Sequence, residues 1–198
     1  MCATCRSAKV NFDCARAAWI YDGAPRRAIH RLKYNGKSAL AARLAPSLAR
    51  TVRSDETLQS IAFDYVAAVP LHPRRERKRG FNQSELLARC LARELDVPFE
   101  RMLCRTRATP PQVGLGLKER AQNVRDAFAL APRVSVPAGA QVLLVDDVFT
   151  TGATLRECAV VLKRAGARTV CAVTLVRHSK PDLMTRFEMD EPFEGLFF

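Results

Sequence analysis

Apolar positions along this chain fall into two periods. Between residues 61 and 69 the run Ile-Ala-Phe-Asp-Tyr-Val-Ala-Ala-Val is broken by a single charged residue and ends at Pro70. Apolarity that continuous predicts a strand buried on both faces, as in a parallel sheet, rather than an alternating edge strand. Asn82 then stands three residues before Glu85, the spacing of a capping box, and Leu86, Leu87, Cys90, Leu91 and Leu95 follow at helical intervals, so a helix is predicted there. Farther on, Gln141 to Val145 reads as a short apolar strand and Asp146 to Thr154 as a polar turn. Leu155, Cys158, Val161 and Leu162 then line a helix closed by Gly166, and Arg168 to Val176 forms a second strand. Strand, helix and strand in so short a span predict a right-handed crossover between parallel neighbours, hence an α/β fold with a parallel sheet flanked by helices.

The remaining segments are less regular. Residues 15 to 53 place Trp19, Ile20 and Tyr21 before the turn Asp22-Gly23, then a basic amphipathic run interrupted by Asn35-Gly36, which reads as a strand followed by helices. Residues 105 to 120 contain Pro110, Pro111, Gly114 and Gly116 without a period and predict a long loop. At 198 residues the chain has room for one α/β domain and a small appendage, and 48% apolar against 26% charged residues predicts a packed core. The chain lacks an apolar stretch long enough for a membrane helix and a basic-then-apolar start, so a cytoplasmic protein without a membrane span is expected.

Charge adds a first functional hint. The net +12 is unevenly spread, because residues 182 to 198 hold five acids and one base. Residues 25 to 53 carry eight Lys or Arg and no acid, and 74 to 79 reads Arg-Arg-Glu-Arg-Lys-Arg, so an anionic partner such as phosphate, pyrophosphate or nucleic acid competes with a merely solubilising surface field. Seven scattered cysteines do not form a secreted disulfide framework. Cys2-x-x-Cys5 has the spacing to grip one face of a tetrahedral zinc, but two further ligands are needed; Cys14 offers a third and no second CxxC follows, so Cys2 and Cys5 make an incomplete zinc site.

The chemistry concentrates in Val142-Leu-Leu-Val-Asp146-Asp147-Val148-Phe149-Thr150-Thr151-Gly152-Ala153-Thr154. A helix start supplies unpaired N–H groups and the positive end of the dipole, Gly152 allows close backbone approach, and threonine hydroxyls add donors, so a phosphate monoester fits the turn. The paired acids upstream suit sugar hydroxyls or a divalent metal instead. A ribose between a 5-phosphate and a metal-bound pyrophosphate would use both halves, whereas an ordinary capped strand-to-helix turn does not explain two acids, three threonines and a glycine together.

This segment resembles the phosphoribosyl-diphosphate (PRPP) signature of the type I phosphoribosyltransferases. Tyr21-Asp-Gly, Ile29-His-Arg-Leu-Lys33-Tyr-Asn-Gly36, Val69-Pro-Leu-His72, Arg79-Gly-Phe-Asn-Gln83 and Arg120-Ala-Gln-Asn-Val-Arg-Asp-Ala-Phe128 are similar to the ComF family, linked to natural competence and DNA uptake. The resemblance implies a five-stranded parallel sheet with a small N-terminal hood, a partial zinc-ribbon-like segment at 1–16 and a phosphoribosyltransferase-like domain at 17–198. It puts Asp146 and Asp147 on the ribose hydroxyls, residues 148–154 around the 5-phosphate, Pro70, Leu71 and His72 on the diphosphate, and Arg79 as a cationic contact. Segment 105–120 resembles a mobile loop whose Lys118 and Arg120 neutralise departing pyrophosphate. Magnesium would be carried by PRPP. Purine-salvage relatives that take hypoxanthine or guanine often carry an acid where Thr150 stands, which disfavours those acceptors. Two other readings stay open: an accessory protein of DNA uptake that binds a nucleotide or a competence helicase without turnover, and a basic single-stranded DNA-binding protein. A homodimer is expected by resemblance alone.

Two decoys drop out. Gly36-Lys37-Ser38 lacks the glycine a P-loop needs at position 31, and Gly114-x-Gly116 follows no strand. His30 and His178 read as surface residues and Trp19 as core.

Overall fold

The computed structural model describes residues 11–34, 38–109 and 117–178. Four parallel strands form the sheet in the order β1 (Cys14–Ile20), β6 (Thr169–Arg177), β5 (Gln141–Phe149) and β2 (Tyr65–Ala68). Where a fifth strand was expected, Phe99 makes a single parallel bridge to Val66. The Val66 N–H donates to Pro98 O at 2.8 Å and the Glu100 N–H to Val66 O at 2.9 Å, but Pro98 has no N–H to extend the ladder.

Apolar residues alternate between two cores, one on each face. Leu143 and Val145 pack beneath α1 (Gly23–Tyr34), α2 (Ser38–Ser54) and α5 (Gln83–Leu95), where Leu32, Leu44, Leu48, Leu87 and Leu91 are fully buried. Val142 and Leu144 face α7 (Ala153–Arg164) and the small antiparallel pair β3 (Leu103–Arg105) and β4 (Phe128–Leu130). Burial on both faces explains why β5 reads as a continuous apolar run. Two short helices, α3 (Glu56–Gln59) and α4 (Pro73–Arg79), and α6 (Leu117–Val124) complete the described elements.

Several boundaries differ from expectation. β2 occupies only the second half of the 61–69 run, because Asp64 turns its carboxylate to the Gln141 N–H at 2.8 Å and Gln141 Nε2 holds Ala62 O, which takes the first half out of the ladder. β5 runs on through both acids to Phe149, since parallel pairing with β6 continues to Phe149 and Arg177. Residues 117–120 belong to α6 rather than to a loop; Leu117-Lys-Glu-Arg-Ala-Gln is a run of good helix formers. The 16/17 domain boundary falls inside β1, and Asp13 accepts the Val170 N–H at 2.7 Å, so the sheet begins upstream of that point. β1 takes the sheet edge beside β6, and α1 brings Lys33 to the end of β5. Glu85 does not close a capping box: Asn82 caps α5, while the half of the box assigned to Glu85 is replaced by ion pairs to Arg89 and Arg101.

Cys2, Cys5, the Asn35-Gly36 turn, Pro110 to Gly116 and the acidic tail lie outside the described residues. Cys14 is used within the sheet, registered beside Cys171 with a sulfur–sulfur hydrogen bond that lowers the Cys14 pKa and raises that of Cys171. No helix among the described residues is long and apolar enough to cross a membrane.

Candidate functional site

The carboxyl ends of β2 and β5 lie side by side, and the N-terminus of α5 joins them. Asn82 donates from Nδ2 to Val69 O at 3.0 Å, just past β2, while its Oδ1 accepts the Ser84 N–H at 3.1 Å. The Ser84 hydroxyl in turn donates to Asp146 Oδ1 at 2.8 Å, an oxygen that also accepts the Asp147 N–H at 2.9 Å. Burial, followed by the charge of Asp147, pushes Asp146 up to about 7, against the pull of these two hydrogen bonds and of Lys33.

Asp147 is buried at 5% exposure and is partnered differently. Lys33, near the end of α1, brings Nζ to 2.7 Å from Asp147 Oδ2, out of line for a directed hydrogen bond, so the contact is an ion pair. Burial works against the ammonium, yet the charges of Asp147 and Asp146 raise Lys33 above its ordinary pKa. The two acids are therefore held by different elements, Asp146 by α5 and Asp147 by α1.

Val148 and Phe149 finish β5, and Thr150 to Gly152 turn the chain into α7. Gly152 is left-handed, with φ 72°, and a Cβ there would stand 2.9 Å from the Phe149 ring, so backbone and space both demand glycine. Thr151 Oγ1 accepts the Ala153 N–H at 3.3 Å. Gly152 provides no side-chain cap and the first turn of α7 carries no acid, which leaves the positive end of this helix suited to an anion.

Beyond β2, residues 70–72 lead into α4, whose N-cap is His72 with Nδ1 accepting the Arg74 N–H at 3.2 Å. Desolvation and then Arg74, Arg105, Arg75 and Arg77 hold the imidazole below its usual pKa. Arg79 ends α4 and donates to Gln83. Arg120 lies on α6 and, with Lys33, depresses His178, whose main cause of lowering is burial; the His178 ring stacks on Tyr21 at 4.3 Å. Lys118 is on the same helix, with its side chain outside the described set.

Three side chains escaped the sequence reading. Lys33 stands in the Ile29–Gly36 motif without a role of its own, and nothing in the sequence marks Ser84 as a partner of an acid. Arg105, assigned to a loop, is 8% exposed on β3, where it stacks over Phe128 at 5.2 Å and donates to Thr109. Its Nε has no partner, and among the described residues no carboxylate lies at ion-pair distance. Burial and Arg75 lower its pKa, while Cys158 and Asp146 are close enough to oppose them. The available signal was its apolar flank Met102-Leu103, which marks a buried strand.

No cluster of three His, Cys, Asp or Glu side chains among the described residues could cage a metal. With Asp146 on Ser84 and Asp147 on Lys33, this donor set does not fit a protein-held magnesium. A hollow of about 430 Å³ lined by Asp64, Tyr65, Gln141 and Arg168 lies at the opposite ends of the strands, away from the acids.

Comparison with known proteins places this arrangement. DNA utilization protein YhgH of Salmonella typhi is 38% identical over 151 residues, covering 75% of this chain and 65% of that protein. Competence protein F of Haemophilus influenzae is 34% identical over 75% of this chain and 66% of its own length. The chain thus spans just under two thirds of the curated relatives it matches. Among solved structures, the glutamine PRPP amidotransferase of B. subtilis aligns over 68% of this chain and 25% of its own, at 24% identity and a TM-score of 0.44. The phosphoribosyl transferase domain model matches residues 82–193, from the cap of α5 through both acids and the glycine turn to beyond β6. With more than half of its length matched, the chain belongs to the phosphoribosyl transferase domain family.

Proposed function

We propose that this chain binds PRPP and transfers its phosphoribosyl group to an acceptor in the manner of a ComF-type protein. One observation carries the reading. Two adjacent carboxylates, each held by a different helix, lie near the end of the strand that turns through left-handed Gly152 into α7, whose first turn carries no acid. Asp146 and Asp147 receive the ribose hydroxyls, Thr150 to Thr154 receive the 5-phosphate, and Pro70 to His72 with Arg79 face the diphosphate. Magnesium would come with the ligand rather than be held by these residues, and would supply charge neutralisation at the diphosphate.

In the reaction the C1–O bond breaks with its electron pair leaving on pyrophosphate, an acceptor lone pair forms the new bond to C1, and the acceptor loses a proton. The transition state resembles an oxocarbenium ion, so the protein's task is to stabilise departing negative charge and hold the sugar still. Lys118 and Arg120 are assigned to the first task, to which Arg105 is added, and the two acids to the second. Thr150 offers a hydroxyl, not a carboxylate, to an acceptor, which disfavours hypoxanthine and guanine.

Calorimetry with PRPP and magnesium tests this on the wild type and on Asp146→Asn with Asp147→Asn, followed by a pyrophosphate-release screen over bases and amines. Binding abolished by the double substitution supports the site, and tight binding that survives it overturns the assignment. The names of the relatives favour a second reading, a non-catalytic accessory of DNA uptake, which predicts PRPP binding with no release for any acceptor. The exposed arginines of α1 and the basic α4, none of whose residues is fully buried, support direct DNA contact, which would weaken steeply with salt and survive loss of both acids. A homodimer and a cytoplasmic setting complete the proposal; light scattering and cell fractionation test them.

A further inference from the structure

The two acids lie side by side near the end of one strand, yet the structure gives them unlike partners. Asp146 is held by a hydroxyl and a backbone N–H from within the α/β unit. Asp147 is held by an ammonium that reaches in from α1, an N-terminal helix outside the segment matched by the family model. Among the described residues Lys33 is the one cation at ion-pair distance from Asp147. Its closest contact is with Oδ2, the oxygen shut off from solvent.

A buried carboxylate ion-paired on one oxygen is fixed in rotamer. That is what a hydrogen-bond acceptor for a sugar hydroxyl needs, because a loosely held acid would present the wrong geometry. The alternative, that Lys33 merely tethers α1, predicts the same ion pair but no dependence on the ribose.

We propose that Lys33 is a positioning residue of the ribose site: its ammonium clamps Asp147 through Oδ2 and thereby presents Oδ1 to a ribose hydroxyl. The proposal rests on the phosphoribosyl reading above and deepens it by assigning α1 a part in substrate recognition. The downward pull of Lys33 on Asp146 agrees with an ammonium that organises the pair rather than one acid.

The test measures affinity for two probes, PRPP with magnesium and inorganic pyrophosphate with magnesium, the second lacking the ribose. Lys33→Met is expected to weaken PRPP at least tenfold and pyrophosphate no more than about twofold, the smaller effect being the general loss of one positive charge. Lys33→Arg is expected to restore most of the PRPP affinity. Asp147→Asn should cost as much as Lys33→Met, and the two together no more than either alone, since residues that act as one unit are not additive. Should Lys33→Met fail to fold, Asp147→Asn with and without Lys33→Met decides, because the double variant buries neither charge. Equal PRPP affinity of those two supports the proposal and a further loss overturns it. Equal losses for both probes, additive losses, or unchanged PRPP binding in Lys33→Met also overturn it. Absence of PRPP binding in the wild type removes the ribose reading and this proposal with it, whereas a wild type that binds beside an unaffected Lys33→Met removes this proposal alone.

Discussion

Ser84 and Asp146 sit on different elements, and the 2.8 Å bond from the Ser84 hydroxyl to Asp146 Oδ1 carries the N-terminus of α5 onto the end of β5. The bond favours the charged carboxylate, while burial and Asp147 favour the neutral acid, and the balance stands near pH 7. Small changes at this contact therefore alter how much of Asp146 is ionised at neutral pH. Ser84→Ala should move the Asp146 midpoint further upward and cost about 1 kcal/mol of stability, the net worth of one hydrogen bond. Carboxyl-carbon NMR titration of the wild type and variant measures the shift; a midpoint that stays put or falls contradicts the assignment.

Asp146 also gives stability a pH dependence of unusual sign for an aspartate. Its folded midpoint of about 7 lies above the ordinary 3.8, so between those values the folded state holds a proton that the unfolded state releases. The contribution is full below the ordinary value and is lost as pH rises towards about 7. Urea unfolding at a series of pH values should show this decline, and Asp146→Asn should flatten it. An identical slope in both proteins would show that other groups carry it.

Gly152 meets two constraints at once, a φ of 72° and the Phe149 ring 2.9 Å from its missing Cβ. Gly152→Ala should lower stability by about 2 kcal/mol, part from the left-handed backbone and part from the ring. Because only the second part is relieved by Phe149→Leu, the double variant should lose less than the sum of the singles, as thermal unfolding can determine. Strict additivity would show that the ring yields without cost.

Much of this site was legible because its determinants are local. Two acids after an apolar strand, then threonines and a glycine, mark a phosphate turn whatever the rest of the chain does. The β5 boundary was misplaced because local polarity suggested a turn after Val145, while pairing with β6 extends the strand to Phe149. Glu85 misled in the same way: its spacing from Asn82 is that of a capping box, but Arg101, remote in sequence, takes both its oxygens at 2.8 Å. Lys33 and Ser84 could not be read as partners of the acids, since 114 and 62 positions separate them from Asp147 and Asp146 and only the fold closes those distances.

Glu85 is nearly buried between Arg89 and Arg101, both largely exposed, and the cluster fixes the edge segment that bridges Val66. Arg101→Ala should cost about 1 kcal/mol, a value reduced by the exposure of the guanidinium. Hydrogen exchange at Glu100, whose N–H bonds Val66 O, should accelerate. Unchanged exchange there would mean that Arg89, stacked at 4.3 Å on Phe99, holds the edge unaided.

Arg105 offers the clearest separation of function from stability. A guanidinium at 8% exposure with Nε unpartnered and Arg75 nearby is an expense to the fold, since desolvation and repulsion both lower its pKa. Such a cation persists more readily if an anion completes it, and among the acids Asp146, inside the candidate site, is the one whose charge acts on it. Arg105→Met keeps an apolar stem over Phe128 and removes the unpaired charge. Its unfolding midpoint in urea should equal or exceed that of the wild type, while affinity for PRPP with magnesium should fall at least tenfold. Arg105→Lys, which keeps the charge but loses the guanidinium over the Phe128 ring, should lie between them in affinity. A loss of both stability and binding in Arg105→Met would make the residue a structural strut of β3, and a stable variant that binds PRPP normally would remove it from the site.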